Sequence, residues 1–327
     1  MKKILTALLS VIFIYGITTC ASDLVIESKT QTYNETENKI TIDGDVKVTI
    51  DDMQVVGDTA DIDVNEEQQL DTATFYDKPY AYEVKKNKKR EVKANILKVS
   101  LITKIIRAEG DTQSILFDGK TPVIVINADT QEYDTNTGIM TADGAVTIHY
   151  KDLETFSNNA KVQTDKNGDL KNIELTGSAR IKEKSNESYA DRFVYDSTTD
   201  ILTAHGNTTS KSVNEDGSTF TLKANYQEYE KSTGVFNASG NVQVWYQDYY
   251  ARGPKVRVNP SKTTGKPNDI YMNGRSSITQ GVRTIYADKI YMTVEPKDFK
   301  AEGNTRTVIK NIGSGNNDDD EGIGLGL

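Results

Sequence analysis

Along residues 236–246, FNASGNVQVWY, apolar side chains fall on every second position: Phe236, Ala238, Val242, Val244 and Tyr246 share one parity. That period of two predicts a β-strand with one apolar face. Gly240 sits on the same parity, where a glycine weakens a strand unless the chain bends there. The arrangement recurs: TADGAVTIHY surrounds Gly144, TAHGN surrounds Gly206 and KAEGN surrounds Gly303. A small residue precedes each glycine by a constant sixteen positions, in Ser28/Gly44, Ala94/Gly110, Ala128/Gly144, Ala190/Gly206, Ala224/Gly240 and Ala287/Gly303. Between the members of such pairs lie turn segments, as in YDTNTG (133–138), YDSTTD (195–200) and YEKSTG (229–234). Each unit therefore reads as a long hairpin.

A second kind of hairpin fills the gaps, beginning at Ala60, Ala160 and Pro254. The unit starts run 28, 60, 94, then 128, 160, 190, then 224, 254, 287. The triplets are offset by 100 (128 − 28) and 96 (224 − 128) residues, so the chain is three copies of a three-hairpin module. Helical periodicity is absent, and repeats of this length signal a stacked architecture. A strand that bends at its middle can serve two facing sheets. The expected fold is all-β: an elongated antiparallel structure folded over into a trough, its apolar parity inside.

Composition fits this. Of 327 residues, 17 are Tyr and 8 Phe, with only 6 Pro, which suits sheet better than disorder. A net charge of −9 argues against a nucleic-acid partner. At the N-terminus, Lys2 and Lys3 precede ILTALLSVIFIYGI (4–17), the pattern of a secretory signal peptide over 1–21 with cleavage after Ala21. Cys20 offers a rival reading as a lipidated cysteine, although Thr19 directly before it departs from a lipobox. If Cys20 leaves with the signal, no cysteine remains for a disulfide.

The stretch LVIESKTQTYNETENKITIDGDVKVTI (24–50), continued by GDTADIDV and DKPYAYEV, resembles the OstA-like, LptA-type proteins of lipopolysaccharide transport. The order matches that family's apolar-x-Ile-Glu-Ser start, Gly-Asp-Val-x-Val strand, Ala-Asp strand and Asp-Lys-Pro turn. Residues 24–117 resemble one family domain, within a first module at 22–120, and the triplet spacing extends the likeness to modules at 121–217 and 218–311, leaving a disordered acidic and glycine-rich tail at 312–327. The resemblance implies a β-jellyroll opened into a V-shaped groove. It further implies periplasmic location, no cofactor, and an apolar interior that shields the acyl chains of lipid A between the inner and outer membranes. Partners implied are lipopolysaccharide and the inner- and outer-membrane components of the transport machinery. Unpaired strands at the ends of the stack also invite head-to-tail self-association.

Inward parity names the candidate lipid contacts: Ile42, Val46 and Val48 in the first module, Ile126, Met140, Val146 and Ile148 in the second, Val242 and Val244 in the third. By motif, Leu24, Ile26 and Tyr82 join them. The same residues would equally pack a sandwich core. The run Lys85-Lys86-Asn87-Lys88-Lys89-Arg90 reads as a solvated hairpin tip, with contact to lipid phosphates at a groove mouth as the sharper alternative. The two histidines, His149 and His205, stand at different phases, and no nucleophile elbow, phosphate loop or metal-spaced cluster is present, so the sequence does not read as an enzyme. The competing class is a secreted structural or adhesive β-repeat protein with no lipid ligand.

Overall fold

The computed structural model describes residues 24–310 except 214–216, 264–266, 295 and 297. The predicted signal segment 1–21, Cys20 and the tail 312–327 lie outside the described residues. Among the described residues, every regular element is a β-strand and every pairing is antiparallel. Strands follow one another as a meander, from Lys39–Ile50 and Met53–Val64 through Ile139–Tyr150 and Leu153–Thr164 to Pro267–Gln280 and Arg283–Thr293. Short segments at the ends and in the first module, such as Leu24–Glu27 with Thr30–Asn34 against Lys39–Ile50, are two halves of one bent strand.

The bend is the element the glycine spacing announced. In Val235–Tyr246 the register slips between Ser239 and Val242, so two residues oppose one on the neighbouring strand. Gly240 and Asn241 both have positive φ, 77° and 52°. A pair of left-handed residues turns the strand sharply, and the first is tolerated cheaply only as glycine. The middle hairpin of each triplet carries the same corner in other letters. Asp77-Lys78 in the first, Gly177-Ser178 in the second and Gly274 in the third all adopt positive φ. Their spacing is 100 (177 − 77) and 97 (274 − 177) residues.

One sheet with one buried face and no helical layer must cover that face with itself. The bends allow this, folding each strand into two halves that belong to facing walls. Inside lie Ile42, Ile62, Phe75, Leu97 and Ile148, each fully buried. The alanines of the repeat, Ala94, Ala128, Ala190, Ala224 and Ala287, are buried as well, small enough to let the walls meet. Side chains near the strand ends also meet across the interior. Tyr133 donates to Glu83 at 3.1 Å, Arg90 to Thr164 at 3.2 Å, and Lys231 pairs with Glu183 at 3.1 Å. The expected all-β antiparallel jellyroll of repeated hairpins is the observed architecture.

Candidate functional site

The buried interior face is where candidates from each of the three modules lie. Nine of the twelve candidates face it: Ile42, Val46, Val48, Ile126, Met140, Val146, Ile148, Val242 and Val244 are at most 5% exposed. Leu24 and Ile26 lie half-buried at the N-terminal edge, paired with Ile50 and Val48. Tyr82 does not join them. It alternates with Ala81, which is the inward residue, and so stands on the outer wall. There it hydrogen-bonds Gln54, stacks on Tyr80 at 5.5 Å and receives Lys89 at 5.1 Å. The motif placed Tyr82 at the right strand, but a period of two puts it on the other face from Ala81.

The sealed candidates form walls rather than open space. Buried residues divide into two clusters, one ending at Ala204 and the other starting at Leu222. Between them lies an apolar cavity of about 290 Å³, lined by Leu153, Ile181, Phe193, Leu202, Phe220 and Phe236 among others. Its origin is legible in one strand. Two, four and six residues after the bend glycine, the inward positions are Val46, Val48 and Ile50 in one repeat, Val146, Ile148 and Tyr150 in another, and Val242, Val244 and Tyr246 in a third. In Ile201–Val213 the same positions are Thr208, Ser210 and Ser212. Short polar side chains leave unfilled the volume that aliphatic and aromatic ones occupy elsewhere. Their hydrogen bonds are met locally: Thr208 donates to the Ala224 carbonyl at 2.8 Å and Ser210 to Gln227 at 2.5 Å.

The strand Ile105–Asp118 repeats the pattern, with Thr112, Ser114 and Leu116 inward. Thr112 donates to the Ala128 carbonyl at 2.7 Å and accepts from Gln131 at 2.9 Å. Beside it a second cavity of about 540 Å³ is lined by Glu83, Lys85, Lys88, Arg90, Leu116, Tyr133 and the turns 135–138 and 163–168. Here the basic run is divided. Lys86 and Asn87 form the exposed tip, Lys89 lies on the outer wall, and Arg90 is buried inside with its guanidinium 3.8 Å from the centre of the Tyr133 ring. Burial pushes the Tyr133 hydroxyl up to about 12, so it stays a donor to Glu83. The solvated-tip reading therefore covers only part of the run. Sequence inspection missed Phe193, Leu202 and Phe220. The signal for them was the polar interruption at 208–212.

Among the described residues no group of three or more His, Cys, Asp or Glu could hold a metal ion, and no helix is long and apolar enough to cross a membrane. The fold and its interior define a repeat-built β-jellyroll with apolar space between two walls. The chain belongs to the LptA/(LptD N-terminal domain) LPS transport protein family, whose sequence profile matches residues 25–115 and 125–264. Among solved structures, it is similar to LptH, the LptA-homologous periplasmic component of the conserved lipopolysaccharide transport device from Pseudomonas aeruginosa. That likeness has 13% identity and a TM-score of 0.34, covering 38% of this chain and 83% of the other. No curated protein sequence matches the chain. The family assignment rests on the profile match.

Proposed function

We propose that this chain is a periplasmic carrier that shields lipid A acyl chains of lipopolysaccharide between its walls and helps bridge the inner and outer membranes. The observation that carries this reading is the apolar gap between the two core clusters, framed by Phe193, Leu202, Phe220 and Phe236. A buried methylene is worth about 0.8 kcal/mol, so a twelve-carbon chain costs roughly 10 kcal/mol to hold in water. An apolar interior offsets that cost without chemistry. At about 290 Å³ the gap is near the small end of ligand sites. A whole chain therefore requires the walls to part at the rim, where Lys231 and Glu183 meet.

The module limits 22–120, 121–217 and 218–311 belong to the same proposal, as does export by the 1–21 segment. Both ends of the sheet suit docking. Among the described residues, Thr30–Asn34 pairs on one side only, with Lys39–Ile50, and Arg306–Ile309 only with Arg283–Thr293. Each leaves a free edge for a strand of a membrane component of the transport machinery or of a second copy.

The test is a photo-crosslinking residue at Phe220, which lines the gap, and separately at Thr221, which points outward. Adducts with lipopolysaccharide at 220 and not at 221 support the carrier. If folded protein gives none at either position, the interior is a packed structural core.

A further inference from the structure

The cavity at the first module junction has features that the apolar gap lacks. Five cationic side chains line it, Lys85, Lys88, Arg90, Lys166 and Lys171, against two carboxylates, Glu83 and Asp165, and Lys88 also pairs with Asp118 at 2.7 Å and Asp169 at 3.1 Å at its edge. Arg90 is the one buried in the core, at 8% exposure. Its partners among the described residues are the Thr164 hydroxyl at 3.2 Å and the face of Tyr133; no carboxylate lies within ion-pair distance. Glu83, the nearest candidate, already accepts from Tyr133 at 3.1 Å and from Lys85 at 2.7 Å, on its two different oxygens. A guanidinium withdrawn from water without a counter-charge is costly unless an anion arrives.

The second junction shows that the walls can be built without this arginine. Arg90 stands four residues before Ala94; four before Ala190 the residue is Asn186, and four before Ala287 it is Arg283, which is exposed instead of buried. The second junction thus builds the same walls, with the same tyrosine (Tyr229 for Tyr133) and glutamate (Glu183 for Glu83), around an amide. It encloses an apolar gap instead of a cationic one. A buried arginine is therefore particular to the first junction, and the second builds its walls without one.

We propose that this cavity binds a phosphate group, held by the Arg90 guanidinium in its fixed plane on Tyr133 and by Lys85, Lys88, Lys166 and Lys171 around the mouth. Guanidinium geometry suits the bidentate recognition of phosphate oxygens, and lysines supply point charge. Two sources share that chemistry: a phosphorylated lipid headgroup and free phosphate. For the headgroup, the inference rests on the carrier reading above, and it places the head at the first junction with acyl chains directed along the interior.

The experiment uses the full mature chain and three variants: Arg90→Asn, Lys166→Gln/Lys171→Gln at the exposed mouth, and Lys89→Gln on the outer wall as control. Each is titrated with inorganic phosphate, followed by ³¹P line broadening, and with a bisphosphorylated lipid A and its dephosphorylated counterpart. Circular dichroism confirms folding. The expected result is that Arg90→Asn weakens a phosphorylated probe about tenfold or more. The mouth variant weakens it in the same direction, even if Arg90→Asn fails to fold. Lys89→Gln changes nothing, and the dephosphorylated lipid is indifferent to all three. A response to inorganic phosphate alone names free phosphate as the source; a response to the lipid names the headgroup. Phosphate binding with no affinity for either lipid sinks the carrier reading and leaves this one standing. The site is overturned if neither phosphorylated probe binds the wild type, or if both bind wild type and variants alike.

Discussion

Asn225 lies across Gly240, with its Cβ and its side-chain nitrogen each 2.9 Å from the point where a Cβ on that glycine would stand. The relation recurs one strand pair after another: Asn95 covers Gly110, Asp129 covers Gly144, Asp191 covers Gly206 and Asp288 covers Gly303. The constant sixteen-residue interval is thus the distance from the buried alanine to the bend glycine, and the Asx after that alanine caps the bend. Where an asparagine follows the glycine, it closes the corner further, as Asn304 does by donating to Asp288 at 2.6 Å.

From this, Gly240→Ala should cost about 2–4 kcal/mol, combining left-handed strain with forced overpacking. Gly119→Ala is the control. Its φ is also positive, 59°, but nothing lies within 4 Å, so the loss should stay near 1 kcal/mol. Adding Asn225→Ala to Gly240→Ala removes the amide contact and leaves the Cβ contact, so the cycle should recover only part of the loss. Urea midpoints of five proteins decide it: wild type, Gly119→Ala, Gly240→Ala, Asn225→Ala and the double variant. Equal losses at 119 and 240 would mean that the bend is set by φ alone.

The polar positions of Ile201–Val213 invite a filling experiment. Ser212 lines the apolar gap at the position held by Ile50, Tyr150 and Tyr246 in other repeats. Ser212→Ile should raise stability by about 1 kcal/mol through added apolar burial. It should also reduce lipopolysaccharide adducts at position 220. A more stable protein with undiminished adducts would place the lipid elsewhere.

How much of this was readable from the letters can be judged at single residues. The walls were: a period of two put Val146, Ile148, Val242 and Val244 inside, and there they are. The bend was also readable at the six glycines of the repeat. It was hidden at Asp77-Lys78, because there two non-glycine residues adopt the left-handed conformation that glycine takes at 177 and 274. Tyr82 was misplaced because a short motif fixes a strand but not which face a given residue presents. The cavities were hardest to see, because they arise from what is missing. Ser210 and Ser212 make space only relative to the bulkier residues at the same positions in other repeats, and Arg90 became an interior residue only once the hairpin 80–93 was placed against the turn 164–168.

The division of the core into two clusters predicts a split in unfolding. The single tryptophan, Trp245, sits on the outer wall of the third module, 5.2 Å from Tyr250, beside the cluster that begins at Leu222. That cluster is the smaller of the two, and neighbouring repeats stabilise one another only through their shared interface. Tryptophan fluorescence should therefore report a transition at lower urea than far-ultraviolet dichroism, which averages all strands. Leu222→Ala should widen the separation. Coincident curves for both probes and both proteins would make the two clusters one cooperative unit.

The turn carboxylates set the response to acid. Asp134 closes the turn 134–138 by accepting from the Asn136 backbone at 2.9 Å and from the Thr137 hydroxyl at 2.8 Å. Those bonds, the Thr137 hydroxyl foremost, hold its carboxyl below the ordinary aspartate value of 3.8. Because the folded state prefers the charged form, the contribution is fully present above that ordinary value. It is lost as pH falls through the depressed folded one. Asp134→Asn keeps an oxygen acceptor for the backbone but cannot titrate. The stability difference between wild type and Asp134→Asn should then be constant from pH 7 down to about 5, shrink below about 4, and go on shrinking as pH falls through the depressed folded value. Denaturant titrations at each pH measure it. A difference that grows toward acid would reverse the sign and show that the carboxylate is better accommodated in the unfolded chain.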